Sequence, residues 1–425
     1  MKKKLLAMVL CTAALFGMNS NVMAEEDVVI INYPTYRVGT DSSAKVESQL
    51  IEEFNQKYEG KYKVVVEELP SDSAYADKMK VLAASNELPP IVDGKSGVRE
   101  LAIQNGQAVD LTELIDADPE YKAEIGEDAI AANTIDGKLY SIAIGTVVMD
   151  YYYNAEIFEA AGIEPAQTWD EFMKNLQKIK DAGYTPISMM TGENCWVTNV
   201  LLAAMIGTNG EAGNTFMNTK YPETYQTPEV IDGLGMIQTI LQDYTTADAV
   251  GSTYSVAANH FLNGEVGIFC NGTWMIGDFS NEEVAVPGLA DKISSAVYPE
   301  NGAFSQYEVG LMICTDDPEL QEAAWEFVKF KTNKEAQKLM LEENNVAPLT
   351  DQVEISEEFA AKNPLLGKII DECGKADYKF MTFSNTAYSN VVDEMVNIYP
   401  GLASGEISPK EMAAKMDEAA AKNIQ

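Results

Sequence analysis

The sequence predicts an α/β protein built from two lobes, and three observations lead to that fold class. The chain has 425 residues, which exceeds the size that a single hydrophobic core usually reaches. Short apolar runs alternate along it with amphipathic helical segments, a pattern typical of sheets covered by helices. The alternation resumes in the second half without a Gly/Ser-rich linker. We therefore expect the chain to cross between the lobes in ordered segments.

The first half predicts strands and helices in strict alternation. Apolar runs at residues 27–33, 62–66 and 90–93 indicate buried strands. A first helix should follow the N-cap candidates Asp41, Ser42 and Ser43 and end before Gly60, and a second should cover residues 72–85. Because helical crossovers connect parallel strands, we expect a parallel sheet with helices on both faces here.

In the second half, helix starts are marked by capping signals. The sequences TWDE at 168–171, TNKE at 332–335 and SPKE at 408–411 have capping-box spacing. Asp317 and Pro318 pair an N-cap with a proline at the first helical position. Three further strands are predicted by the apolar runs at residues 184–188, 266–270 and 309–314.

Residues 1–24 have the pattern of a secretory signal peptide. Three lysines precede an apolar run over residues 5–16, and Ala24 ends a small-residue cleavage site. The run is too short for a transmembrane helix, which needs about 20 residues. We expect an extracytoplasmic protein, in the periplasm or at the cell surface, cleaved after Ala24. A lipid anchor at Cys11 is the less favoured alternative, because only residues 5–10 form the apolar stretch before it.

Composition excludes several function classes. The formal net charge is −36, and nucleic acid and anionic membranes are poor partners for such a surface because they bind Lys and Arg. The one histidine, His260, has no G-x-S-x-G signature nearby, which argues against histidine-based hydrolysis and a histidine zinc site. Four cysteines follow the predicted signal peptide, and none forms a C-x-x-C pair: Cys195, Cys270, Cys314 and Cys373. Buried thiols are favoured over disulfides, although their pairing stays open.

Four stretches carry a resemblance to a known family. The first joins PPIV at 89–92 to LAIQNG at 101–106 and LTEL at 111–114. The second joins DGKLYSIA at 136–143 to YYYN at 151–154, AGI at 161–163 and TWDEF at 168–172. The third is FLNGEVGI at 261–268 with NGTW at 271–274, and the fourth is EAAWEFVKF at 322–330. Together they resemble the extracellular solute-binding proteins of ABC importers, in the maltose-binding-like, carbohydrate-type group (family 1). Ala143 and Pro90 depart from that pattern, where Pro and Asp are usual.

The resemblance implies a two-lobed periplasmic-binding-protein fold of type II with a ligand cleft between the lobes. The expected lobes are residues 25–143 with 309–345, and 144–308 with 346–425. The implied function is capture of a mono- or oligosaccharide and its delivery to an ABC transporter permease, by a monomer that has no catalytic residue, cofactor or metal. A receptor for a polyamine, peptide or organic acid, and a secreted carbohydrate-active enzyme, are the alternatives.

Sugar binding needs flat aromatic platforms for the C–H face and fixed polar groups for the hydroxyls. Trp274, at the end of a predicted strand, and Trp196, in a polar loop, are the expected platforms. The charged and aromatic candidates lie mostly beside strand ends, where α/β sheets present ligands. The remaining candidates are Tyr36, Arg37, Asp93, Asn271, Tyr307, Glu308, Phe383 and Tyr388. Trp169, in a capping box, and Trp325, in an amphipathic helix, are expected to be structural.

Overall fold

A computed structural model describes residues 28–350, 352–354 and 356–423. The predicted signal peptide and Cys11 lie outside these residues. Within them, no helix combines the length and the apolar character that crossing a membrane requires.

The amino-terminal part alternates strands and helices, as the sequence predicts. The helix predicted over 72–85 has those bounds, and its Ser71 side chain accepts a hydrogen bond from the Ala74 amide. The first helix buries Leu50 and Phe54 on one face and starts after Ser43. The elements are β1 (Val29–Thr35), α1 (Ala44–Lys57), β2 (Tyr62–Glu68), α2 (Asp72–Ser85), β3 (Ile91–Asp93), α3 (Val98–Gln104), α4 (Thr112–Asp116), α5 (Pro119–Ile125), α6 (Glu127–Ala132), β4 (Thr134–Ile135) and β5 (Lys138–Leu139).

The middle part contains the longest strand and a helix that is almost entirely buried. Its elements are β6 (Thr146–Asn154), α7 (Ala155–Ala161), α8 (Trp169–Asp181), β7 (Thr185–Ile187), α9 (Trp196–Gly207), α10 (Gly210–Met217), α11 (Pro228–Asp243), α12 (Tyr254–Leu262), β8 (Val266–Gly272), α13 (Ile276–Phe279), β9 (Ile293–Ala296) and β10 (Gly302–Tyr307). Short 3-10 helices occupy Thr273–Met275 and Ala290–Lys292. Apart from Thr198 and Asn199, α9 is apolar on all sides, which explains why it lies inside the lobe.

The carboxyl-terminal part returns first to the amino-terminal elements and then to the middle ones. Its elements are β11 (Leu311–Ile313), α14 (Pro318–Thr332), α15 (Lys334–Asn344), α16 (Glu357–Lys362), α17 (Pro364–Gly374), β12 (Tyr378–Phe380), α18 (Phe383–Thr386), α19 (Ser389–Ser404) and α20 (Pro409–Ala420), followed by a 3-10 turn at Ala421–Asn423. The capping box at Ser408 is present with both hydrogen bonds. The box predicted at Thr332 is wrong: Thr332 ends α14, and Asn333 caps α15 instead.

Strand pairing departs from the all-parallel prediction for the first half. β1 and β2 are parallel, with Val29 opposite Tyr62. β3 instead pairs antiparallel with β11, with Val92 opposite Met312. The larger sheet has the strand order β12-β10-β6-β8-β7, and β9 pairs with β6. The sequence of the first half could not predict this antiparallel pairing, because β11 belongs to the later part of the chain that returns to the first lobe.

The two largest hydrophobic cores define the two lobes. The first is formed by residues between 31 and 144 together with residues between 311 and 349. The second is formed by residues between 148 and 304 together with residues between 347 and 420. The crossings between them lie side by side, since the Glu308 amide donates to the Gly145 carbonyl at 3.0 Å and the Leu311 amide to the Ile142 carbonyl at 2.9 Å. The exact limits of the lobes stay a prediction.

Candidate functional site

A charged cluster gathers at the ends of two strands of the first lobe and of β10, which belongs to the larger sheet. Arg37 follows β1, Asp93 ends β3 and Glu308 follows β10. The Arg37 Nη2 donates to Asp93 Oδ2 at 3.1 Å and to Glu308 Oε2 at 3.3 Å. The three side chains keep 15%, 9% and 22% of their surface exposed, so they are sheltered and yet reachable. Three sequence predictions therefore meet in one place, with hydrogen-bond donors and acceptors directed at each other.

Tyr36 extends this cluster and adds a residue that the sequence analysis missed. Lys95 Nζ donates to Tyr36 Oη at 2.7 Å and pairs with Asp72 Oδ2 at 3.1 Å. The ring of Tyr36 lies near both cations, with Arg37 Cζ at 5.3 Å and Lys95 Nζ at 4.7 Å from its centroid. Burial raises the pKa of the Tyr36 hydroxyl, which keeps it a neutral donor. Lys95 could have been predicted as a site residue, because it lies only two residues after the end of β3.

An aromatic wall lies in the second lobe. The ring centroids of Trp196 and Trp274 are 5.6 Å apart, and those of Trp196 and Tyr254 are 6.3 Å apart. All three rings are half-buried. Tyr254, at the start of α12, was not predicted. Its signal was weak, because an aromatic residue at the first turn of a helix is most often part of the core.

Local chemistry explains how Trp274 is held. It lies in the 3-10 turn that follows β8, and its ring covers the backbone of Gly272. A Cβ at Gly272 would overlap this ring, so only glycine permits the arrangement. Asn271 is fully buried behind the wall, where its Nδ2 donates to Tyr254 Oη at 2.9 Å. The structure thus places Asn271 as a support of the aromatic wall.

Trp196 is presented by a constrained turn. Glu193 and Cys195 adopt left-handed backbone angles, with φ of 51° and 47°. The Cys195 amide donates to the Gly192 carbonyl at 2.8 Å, and the Trp196 amide donates to Asn194 Oδ1 at 3.2 Å. Non-glycine residues in this region carry strain that surrounding contacts must balance, and such strain is common where a chain presents a functional side chain.

The charged cluster and the aromatic wall belong to lobes that approach each other across the cleft. Asp41 precedes α1 in the first lobe and Asp278 lies on α13 in the second. Burial, together with the nearby Asp41 carboxylate, raises the pKa of Asp278 to about 6. Away from these groups, Lys80 Nζ lies 3.8 Å from Asp393 Oδ1 and joins α2 to α19. The lobes therefore approach each other both near Asp278 and at this ion pair.

Three predicted residues have other surroundings. Phe383 is completely buried in the second core, so we do not include it in the proposed site. Tyr388 stacks on Tyr221 with centroids 4.1 Å apart. Tyr307 packs half-buried against the first core, where burial and Asp128 raise its pKa.

The expected structural tryptophans are buried. Trp169 is 9% exposed in the second core and donates through Nε1 to Thr208 Oγ1 at 2.8 Å. Trp325 is 7% exposed in the first core. The four cysteines of the described chain are buried thiols, and burial raises the pKa of each. Across residues 28–350, 352–354 and 356–423, no group of His, Cys, Asp and Glu has metal-binding geometry.

Comparison with known proteins identifies the class to which this fold and cleft belong. The family model described as bacterial extracellular solute-binding protein matches residues 49–367. The chain belongs to this family, whose members are binding proteins that act outside the cytoplasm.

Individual relatives are distant in sequence and close in fold. The chain is 24% identical to the multiple sugar-binding protein of Streptococcus mutans over 48% of its own length and 49% of the relative's. It is 23% identical to the arabinooligosaccharide-binding protein of Bacillus subtilis, over 74% and 72% of the two chains. The chain spans about half the length of most of the curated relatives it matches. A solved chitin oligosaccharide binding protein shares the fold with a TM-score of 0.81 and 22% identity, over 93% of this chain and 99% of that one.

Proposed function

We propose that the protein captures a carbohydrate between its two lobes and delivers it to an ABC transporter permease. The observation that carries the proposal is the aromatic wall of Trp196, Trp274 and Tyr254. Flat rings accommodate the C–H face of a sugar, and polar groups opposite them can replace the water lost by the hydroxyls. The two relatives and the solved neighbour named above are sugar- or oligosaccharide-binding proteins, which supports this ligand class.

The ligand site in this proposal comprises residues of both lobes. Arg37, Asp93 and Glu308 provide donors and acceptors that can each bind a pair of neighbouring hydroxyls. Tyr36 and Lys95 extend this polar side. The ligand bridges the two lobes and shifts an open–closed equilibrium by bending at the paired crossings near Gly145 and Glu308. The permease then recognises the surfaces that closure aligns.

A receptor for a cationic solute is the second candidate, and one observation favours it. Two carboxylates, Asp93 and Glu308, meet a single guanidinium in the charged cluster, and the net charge of the chain is −36. Such a site suits a polyamine better than an organic acid. The aromatic wall also accepts cations through their interaction with the ring faces.

A thermal-shift screen tests the ligand class. Maltotriose, raffinose, chitotriose and arabinotriose represent sugars, whereas spermidine, citrate, glycerol 3-phosphate and a tripeptide represent the alternatives. A ligand present at 100 times its Kd stabilises the folded protein by about 2.7 kcal/mol, which raises the melting temperature measurably. We expect a sugar to do so and to be recovered unchanged by mass spectrometry. A shift with spermidine alone would transfer the proposal to polyamines, and product formation with turnover would make the protein an enzyme.

A further inference from the structure

His260 lies between two carboxylates at the end of α12. Its Nδ1 is 2.6 Å from Glu265 Oε2, and its Nε2 is 3.0 Å from Asp248 Oδ2. A neutral imidazole has one N–H donor and one lone pair, so it can donate to only one of these carboxylates. The imidazolium has two N–H donors and satisfies both. The geometry therefore suits the charged form of the ring.

The two carboxylates come from opposite ends of α12. Asp248 belongs to the loop of residues 248–253 that leads into the helix, and Glu265 to the turn that follows it. These are the charged groups that act on the imidazole, and they outweigh partial burial, so the pKa of His260 is raised. The hydrogen bond from His260 in turn lowers the pKa of Asp248. Only the charged ring can donate to both carboxylates, so only the charged ring joins the loop, the helix and the following turn at once.

The 248–253 loop in turn holds the segment of residues 189–196, which ends in Trp196. Ser252 and Ala249 carbonyls accept from the amides of Gly192 and Thr191, at 2.9 and 3.1 Å. Two further bonds join the same segments, from the Gly251 amide to Thr191 Oγ1 at 2.9 Å and from Ser252 Oγ to the Met189 carbonyl at 3.4 Å. The amide of Tyr254, the first residue of α12, donates to Glu193 Oε2 at 3.0 Å. A Cβ on Gly192 would lie 2.6 Å from the Gly251 carbonyl, so the segments pack with no spare room.

We propose that His260 is a positioning residue, an imidazolium clamp that holds the 248–253 loop and, through it, the 189–196 segment and Trp196. The clamp requires the ring to carry its proton. It is fully formed below the ordinary histidine pKa of about 6.5, and it is lost as the pH rises through the raised pKa of the folded protein. The link to ligand affinity rests on the sugar-receptor proposal, whereas the clamp itself does not.

Because His260 is the one histidine of the chain, its titration can be followed without assignment. Proton NMR of the ligand-free protein should show one imidazole signal whose midpoint lies above about 6.5. Glu265→Gln and Asp248→Asn should each move the midpoint down. A midpoint at or below the ordinary value, unaffected by both variants, would overturn the clamp.

Hydrogen exchange tests whether the clamp acts on the segment that carries Trp196. At about pH 6, near the ordinary histidine pKa, peptides covering 189–196 and 248–254 should exchange about fivefold faster in His260→Gln than in the wild type. Above the midpoint measured by NMR, this difference should vanish, because the wild type has lost the clamp as well. The control is Glu156→Gln, which removes the charge that pairs with Lys292 at 2.9 Å in an exposed ion pair of the same lobe. This variant should leave the exchange rates of both peptides unchanged.

An isothermal titration with raffinose and chitotriose below and above the NMR midpoint then connects the clamp to binding. We expect about a fivefold weaker affinity above the midpoint, and no pH difference in His260→Gln. If none of the four sugars of the thermal-shift screen binds at any pH while the exchange difference is present, the sugar proposal is wrong and the clamp stands. Equal exchange in the wild type and His260→Gln at both pH values would refute the clamp whatever binds.

Discussion

Trp274 and Trp325 occupy opposite environments within the same chain. Trp274 is half-buried, covers Gly272 and faces Trp196 across 5.6 Å. Trp325 is 7% exposed and packs edge-on against Tyr121, with centroids 5.6 Å apart. An aromatic side chain in a core contributes to the free energy of folding, whereas one on a cleft wall contributes chiefly to binding.

Trp274→Ala should therefore weaken binding of the sugar identified by the thermal-shift screen by about 2 kcal/mol, roughly thirtyfold in Kd. The melting temperature without ligand should stay nearly unchanged. Isothermal titration and differential scanning calorimetry measure the two effects.

Trp325→Ala is the matched control for this prediction. It should lower the free energy of unfolding by about 3–5 kcal/mol, because it leaves a cavity in the first core, while binding by the folded fraction stays normal. An unfolded Trp274→Ala protein whose folded fraction binds normally would reverse the assignment of the two residues.

At the scale of elements, β11 and the crossing before it depend on one glycine. Gly310 has a φ of +73°, a conformation that is costly for residues with a Cβ. A Cβ at this position would also overlap the carbonyl oxygen of Ile142, whose backbone bridges to Leu311 in both directions. The close approach of the two crossings therefore requires glycine here.

Gly310→Ala should lower the free energy of unfolding by about 2–4 kcal/mol, since strain in the backbone adds to the displacement of the neighbouring crossing. Urea unfolding followed by tryptophan fluorescence measures this change.

Gly367→Ala provides the comparison. Gly367 lies exposed on α17 with open space around a Cβ, so this substitution should be neutral or stabilising by up to about 1 kcal/mol. Equal stability of the two variants would show that the crossings tolerate a wider separation than the structure has.

At the scale of the whole molecule, acidic groups from both lobes meet at the cleft. Burial, together with the nearby Asp41 carboxylate, raises the pKa of Asp278 to about 6. We expect an open form to expose Asp278 to water, so that its pKa returns towards the ordinary value of about 3.9. Closure is therefore coupled to proton uptake by this carboxyl group.

The sign of this linkage follows from the raised pKa. Protonation of Asp278 stabilises the closed form. This stabilisation is fully present below about pH 4 and is lost as the pH rises through about 6, where Asp278 ionises in the closed form. Asp278→Asn removes the charge, so the ligand-free variant should be more closed than the wild type at about pH 7.5 and insensitive to pH between about 4 and 7.

Small-angle X-ray scattering measures this prediction as a smaller radius of gyration for the variant at neutral pH. Asp291→Asn, which neutralises an exposed carboxylate in a 3-10 turn, should behave as the wild type. A radius of gyration that is identical for the wild type and Asp278→Asn across the whole pH range would disprove the coupling.

Local sequence determined much of the fold and part of the candidate site. The 72–85 helix and the caps at Asp317 and Ser408 follow from residues within a few positions of one another, because helix and capping preferences act over that distance. Short apolar runs likewise marked the strands after which Arg37 and Asp93 were predicted to lie, and the two side chains meet there. Trp196 and Trp274 could be selected because each follows a polar turn beside an apolar element.

Only the tertiary structure decided the features that depend on distant parts of the chain. The antiparallel partner of β3 is β11, more than 200 residues away in the sequence. Phe383 is buried by packing that its neighbours in sequence could not predict. Packing alone brought Lys95 and Tyr254 to the candidate site and gave His260 its two carboxylate partners. The physical reason is that pairing and burial are set by which surfaces meet across the whole chain, whereas propensity is set by neighbours in sequence.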